Sequence, residues 1–297
     1  MGQDFHESSA PARLAFQEAS EALGLDLAAL CFTPDERLDR TEFAQPAILV
    51  TEIAMLRALE AELDLRAAWF GGHSLGEYTA LVAAGALPLG EAVCLVRERG
   101  RLMQAAVPVG AGRMIAVIGD HLDLDRIATT TTDLQVSVAN DNSPRQVVLS
   151  GTAADTRIAE TRLPEALGCT LRFLELDVSA PFHSSLMSSV ETSFAPVLQA
   201  ASASIDPARA SYVTSNYTGA FHASDRETVI DSLTRQISNT VRWRANMEAL
   251  AGRATRFVEV GPGRPLRGFF KALGIDVTAI TDRRSAARAA AALETAG

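Results

Sequence analysis

The chain has 297 residues, 47% of them hydrophobic, enough to bury a sizeable core arranged as one large domain or two smaller ones. Its net charge of −9 argues against nucleic acid as the main partner, because phosphate binding needs a dominant basic surface. Three scattered cysteines, Cys31, Cys94 and Cys169, give neither a disulfide framework nor metal-ligand spacing, and no leader or run of about 18 apolar residues marks export or a membrane span. Buried thiols in a cytoplasmic protein are the expectation.

In chain order, residues 10–24 and 43–60 carry helical periodicity. The short apolar run "RAAWFGGHS" predicts a buried strand that feeds a sharp turn at Ser74, and "LGEYTALVAAGAL" resumes helical spacing. A further helix is predicted over 91–106. From "GRMIAVIG" (112–119) through "LQVSVAND" (134–141) and "RQVVLSG" (145–151) to "LRFLELDV" (171–178), short β-rich runs alternate with helical or polar segments, as an inserted α+β subdomain would. Helix and strand then alternate again: "HSSLMSSVETSFAPVLQA", "ASYVTSNYTG", a helix from about 226 to 238, and "TRFVEVGPG" as strand and turn. Such alternation with glycine-rich strand ends predicts an α/β fold with a parallel sheet. The tail "RRSAARAAAALETAG" predicts a helix.

Gly72-His73-Ser74-Leu75-Gly76 fits G-x-S-x-G, a nucleophile elbow in which a side chain at either glycine crowds the turn. The following helix aims its N-terminal N–H groups at the serine, with Leu75 N–H the natural first oxyanion donor. A serine needs a base, and histidine suits neutral pH. Of five histidines, His73 adjoins the serine and points its side chain elsewhere, while His6, His121 and His222 lie in segments that read as polar and exposed. His183 follows a strand, sits at a Pro-containing turn and precedes a helix, the sheet edge where open α/β folds build their sites.

Within 91–106, Ala92, Leu95, Val96, Leu102, Met103 and Ala106 share one helical face, and Arg99 falls at its centre. A buried guanidinium keeps its proton and needs a partner. Two readings stand: an internal acid or a snorkelling side chain, and the carboxylate of an acyl substrate held bidentately.

Taken together, "GHSLGEY" (72–78), "RGRLMQ" (99–104), "NSPRQVVLSG" (142–151), "APFHSSLM" (180–187), "SNYTG" (215–219), "QISNTVRW" (236–243) and "VEVGPG" (258–263) resemble the malonyl-CoA:acyl-carrier-protein transacylases and related acyltransferase domains of fatty-acid and polyketide synthases. The resemblance implies an α/β-hydrolase-like large domain, 1–110 and 180–297, with a ferredoxin-like insertion at 111–179. It implies that Ser74 forms an acyl-enzyme, that His183 is the general base, and that Gln236 orients His183 through its backbone carbonyl. Arg99 matches the arginine that pairs with the malonyl carboxylate. Phe182 matches the pattern of malonyl preference, and Gln45, Asn142 and His73 are expected to line the substrate site. The implied partners are malonyl-CoA as substrate and an acyl carrier protein, with no bound cofactor, metal or membrane; an acyl-thioester hydrolase on the same scaffold is the alternative. Family members begin with a strand ending in a "GQGSQ" loop that completes the oxyanion hole. This chain starts at "MGQDFHE", just beyond that loop, so the strand and the donor are expected to be missing, and Gln3 does not replace them.

Overall fold

The computed structural model describes residues 1–63, 65–108, 110–178 and 180–294. The subdomain boundary expected at 179 and the last residues of the alanine-rich tail, 295–297, lie outside the described residues. Three helices open the chain: α1 (Gln3–Ser8), α2 (Ala10–Leu23) and α3 (Leu27–Phe32). The long α4 (Thr41–Leu63) follows, and it is apolar almost all round, with Phe43, Ala47, Leu49, Val50, Ile53, Met55 and Leu59 buried. A helix hydrophobic on every side belongs in a core. Here α2, α5 (Leu75–Ala83) and α6 (Leu89–Ala105) pack around it. Each fully buried Leu, Ile or Met side chain contributes about 1.5–3 kcal/mol.

At Gly100 an added Cβ would lie 2.5 Å from the Thr41 carbonyl oxygen, so glycine there lets α6 and the start of α4 approach closely. That approach brings Arg99 and Gln45 within reach of one another.

The middle of the chain builds β1 (Gly112–Ile118), α7 (Leu124–Thr130), β2 (Val136–Ser143), β3 (Gln146–Thr152), α8 (Ala153–Leu167) and β4 (Arg172–Glu175). The strands form one sheet in the order β2-β3-β1-β4, with antiparallel neighbours. Alternate residues of β1, Ile115 and Val117, meet Val147 and Leu149 of β3 and the helix residues Ile127, Ala159 and Leu163 in a separate small core. The strand period of two supplies this face. The sheet is tied to the rest of the chain at β2, where Val241 N–H donates to the Ala139 carbonyl and Asp141 N–H donates to the Val241 carbonyl.

The chain continues with α9 (Ser188–Ala200), α10 (Pro207–Ala210), α11 (Arg226–Arg235), α12 (Trp243–Ala251), β5 (Phe257–Val260), α13 (Pro265–Ala272), β6 (Val277–Ile280) and α14 (Arg283–Glu294). β5 and β6 pair in parallel. The strands expected at "RAAWFGGHS" and "ASYVTSNYTG" do not form as such: each contributes a bridge, with Phe70 parallel to Val213. Among the described residues no ladder joins this bridge to the β5–β6 pair. The architecture is α/β, with its parallel pairing short and its helices dominant.

Candidate active site

The turn at Ser74 has the shape the pentapeptide predicts. Ser74 sits at φ 53° and ψ −105°, a conformation that side chains other than glycine rarely adopt, immediately before α5. Gly72 is essential to it, because an added Cβ would lie 2.0 Å from the Gly76 carbonyl oxygen. The same expectation fails at Gly76, where a Cβ meets nothing within 4 Å; the close approach is made onto the Gly76 backbone, not by its α-carbon. Asn216 straps the turn, accepting from Ser74 N–H at 2.6 Å and donating from Nδ2 to the Gly72 carbonyl at 2.8 Å.

His183 precedes a short 3-10 turn and α9 as expected, but β4 ends earlier, at Glu175, and belongs to the antiparallel sheet; the histidine Nε2 is 2.7 Å from Ser74 Oγ. Its Nδ1 is 2.8 Å from the backbone carbonyl of Gln236. A carbonyl only accepts, so Nδ1 carries the proton and Nε2 is left as the acceptor of the serine hydroxyl. Burial pushes the His183 pKa down to about 3, and the nearby Arg99 charge adds to the shift. The imidazole therefore stands neutral and able to take a proton across the ordinary pH range. His183 itself has φ 55°, a second strained residue beside the first.

Arg99 is 1% exposed on α6. Its partners are neutral: Nη1 donates to Gln45 Oε1 at 2.8 Å, and Nη2 donates to Gln236 Oε1 at 2.8 Å and to Ser74 Oγ at 3.1 Å. Its Nε has no partner among the described residues, and its guanidinium lies 5.8 Å from the centre of the Tyr78 ring. Of the two readings of this arginine, a direct ion pair with an internal acid is absent among the described residues. The guanidinium is buried against amide and hydroxyl oxygens beside the Ser74–His183 pair, an arrangement with the chemistry to bind an anion.

The other expected residues divide. Gln45 reaches the site directly through Arg99. Leu75 heads α5, and its N–H has no protein acceptor among the described residues, as an oxyanion donor requires. Phe182 is half-buried between the main core and the sheet residues Met114, Ala116, Ala139 and Val148. His73 turns away from Ser74: its Nε2 is 2.8 Å from Asn142 Oδ1, and its ring packs near Trp243 and Phe269. Asn142 is thus brought to the site's flank through His73, and its Nδ2 donates onward to Gln146.

Sequence reasoning missed Glu77, Asn216 and His222. Glu77 is fully buried on the first turn of α5, and it is bonded to His222 Nε2, Gln236 Nε2 and Asn216 N–H. His222, expected to be exposed, is 5% exposed; a polar neighbourhood in sequence concealed a buried acid partner. His6 is also no free surface residue, since it packs against Phe16 and Phe32. The expectation of three buried thiols holds for Cys31 alone: Cys94 is exposed and Cys169 is half-buried. The signal for Glu77 was its i+3 spacing from Ser74 on a helix whose start was already fixed.

Among the described residues, no group of three or more His, Cys, Asp or Glu side chains is placed to hold a metal, and no helix is long and apolar enough to cross a membrane. Residues 1–266 match the acyl transferase domain family. The chain is 38% identical over 276 residues to the malonyl CoA-acyl carrier protein transacylase of Bacillus subtilis, covering 91% of this chain and 85% of that protein. It is similar to the crystal structure of the corresponding protein of Clostridium perfringens, with a TM-score of 0.90 and 33% identity over 100% of this chain and 93% of that one. A third structure, a malonyl-transacylase in complex with a type II PKS acyl-carrier protein, gives a TM-score of 0.86 at 34% identity, covering 96% of this chain and 93% of that chain.

Proposed function

This chain belongs to the acyl transferase domain family, and from that premise we propose that it moves a malonyl group from malonyl-CoA to the phosphopantetheine thiol of an acyl carrier protein. The observation that carries the reading is Arg99, buried with neutral partners 3.1 Å from Ser74 Oγ. It fits an acyl group that ends in a carboxylate.

In the first half-reaction the carboxylate takes up the Arg99 guanidinium. Ser74 Oγ bonds to the thioester carbonyl carbon while its proton passes to His183 Nε2. Negative charge gathers on the carbonyl oxygen, where Leu75 N–H and the N-terminal end of α5 stabilise it. The C–S bond then breaks, and the departing sulfur takes the proton from His183 as CoA leaves. In the second half-reaction the carrier thiol gives its proton to His183 and attacks the seryl ester. The C–O bond breaks, and the proton returns to Ser74. Gln236 holds the base in its working tautomer throughout, taking the place of a triad acid. Phe182, Gln45, Asn142 and His73 form the walls and supports of the acyl site.

We also read the four-stranded unit as a ferredoxin-like subdomain, 111–179, inserted in an α/β-hydrolase-like domain formed by 1–110 and 180–297. The strand order β2-β3-β1-β4 with a helix after β1 and another after β3 supports the first part. The elbow at Ser74 and the parallel β5–β6 pair support the second. The reaction needs no bound cofactor beyond its CoA thioester substrate, and the cytoplasm, where CoA thioesters and carriers meet, is its place.

The test is intact-mass analysis after mixing the protein with malonyl-CoA. The reading expects a malonyl adduct on the wild-type chain and none on Ser74→Ala. An adduct that survives that substitution overturns the assignment of the nucleophile.

A further inference from the structure

Resting on the transacylase reading of this site, we propose that Glu77 is a positioning residue: it supplies through Gln236 the buried negative charge that the Ser74–His183 pair lacks as a direct partner. Glu77 is 0% exposed and lies three residues after Ser74 on the first turn of α5. Both of its oxygens are engaged, Oε1 with His222 Nε2 at 2.8 Å and Oε2 with Gln236 Nε2 at 2.7 Å and Asn216 N–H at 3.0 Å. A buried carboxylate is costly unless donors surround it, and three donors surround this one.

The bond to Gln236 decides which way that amide faces. Gln236 Nε2 donates to Glu77 and, at 3.0 Å, to the Ser74 carbonyl, while its Oε1 receives Arg99 Nη2. A flipped amide would set its oxygen against the carboxylate and its NH2 against the guanidinium. Glu77 therefore aims the amide oxygen at Arg99 and fixes the residue whose backbone carbonyl holds His183 Nδ1. The same carboxylate holds Asn216, which straps both ends of the strained turn at Ser74.

Charge gives the arrangement a second effect. When His183 takes the serine proton, an imidazolium forms beside the Arg99 guanidinium, two like charges in a buried site. Their repulsion grows as the proton moves. The charge of Glu77 acts on the Arg99 guanidinium and offsets part of its field, which matters most when the imidazolium forms, so Glu77 acts on rate more than on substrate binding.

The experiment uses a small neutral fluorophosphonate, which needs no acyl-CoA chemistry: Ser74 Oγ bonds to phosphorus, the P–F bond breaks, fluoride leaves and the serine proton passes to His183. Labelling is followed by intact mass in the wild type, Glu77→Gln and Glu77→Asp. The expected result is labelling of Glu77→Gln that reaches full amplitude but is slower by about tenfold or more, less than the loss of a direct oxyanion donor. Glu77→Asp, which keeps the charge on a shorter arm, falls between the two. A purely structural role would lower the amplitude, through misfolded protein, and leave the rate of the folded fraction unchanged. Folded Glu77→Gln that labels within twofold of the wild type overturns the proposal; should that variant not fold, Glu77→Asp labelling at the wild-type rate overturns it. A wild-type chain that takes the probe but no malonyl group refutes the transacylase reading alone, and one that takes neither refutes both.

Discussion

Replacing Arg99 with alanine should change which acyl group the protein accepts more than how fast it reacts with acyl groups in general. In the structure Nη1 and Nη2 donate to Gln45 and Gln236 at 2.8 Å each, and the Ser74 hydroxyl lies 3.1 Å from Nη2. A substrate carboxylate that takes over two of these donors replaces bonds from the guanidinium to neutral oxygens with bonds in which both partners are charged, worth about 1.5–3 kcal/mol each. Taking the lower figure for both gives about 3 kcal/mol, or about two orders of magnitude in the malonyl-to-acetyl ratio of kcat/KM. The assay is the initial rate of seryl acylation from malonyl-CoA and from acetyl-CoA, in the wild type and in Arg99→Ala. The ratio corrects for damage common to both substrates, including the loss of the bond to Gln236. Arg99→Lys should recover only part of the ratio, because an ammonium offers a point charge and not a planar fork. A ratio unchanged in Arg99→Ala would refute the reasoning, since it would mean that the buried guanidinium reads no carboxylate.

Burial holds His183 near a pKa of about 3, so the base stays unprotonated and acylation at saturating donor should remain level from pH 8 to pH 5 in a stopped assay; a fall centred near 6.5, the ordinary imidazole value, would contradict the assignment. The sign for stability follows from the same shift: between about 3 and 6.5 the unfolded chain binds the proton that native His183 refuses, so stability contributed by this residue is full above 6.5 and is lost as pH falls towards 3, as thermal melts across that window can check. Gly72→Ala places a Cβ 2.0 Å from the Gly76 carbonyl oxygen, and should cost about 1–3 kcal/mol or more and abolish labelling of Ser74; an unchanged melting temperature and labelling rate would show that the turn relaxes freely. Arg267 and Lys271 are exposed on α13, whose Phe269 faces His73, so reversing both charges to Glu should slow transfer onto an acidic carrier while loading from malonyl-CoA stays the same. Equal carrier transfer in that double variant would move the docking surface elsewhere.

Local pattern carried the site further than it carried the sheet. Arg99 was legible because α6 is amphipathic, and one charge at the centre of an apolar face is visible without a structure. Ser74 was legible because few residue patterns allow a strand to turn into a helix so sharply. The sheet was less so: "RAAWFGGHS" has the composition of a buried strand, yet pairing is a property of neighbours, and a single bridge to Val213 is what forms. Glu77 and His222 stayed hidden for a related reason. They are 145 residues apart and meet at 2.8 Å, and a polar setting along the chain gives no hint that tertiary packing has closed over both. Pairings between distant residues carry no periodicity to read.

The most direct measurement begins with purified malonyl-enzyme, freed of excess malonyl-CoA and mixed with a carrier protein that bears its phosphopantetheine arm, with both masses followed in time. The account predicts that the malonyl mass leaves Ser74 and appears on the carrier thiol much faster than it is lost to buffer, and that adding CoA drives it back onto CoA. Loss from the enzyme at the same rate with and without carrier, with the malonyl group recovered as free malonate, would contradict it and make the protein a hydrolase.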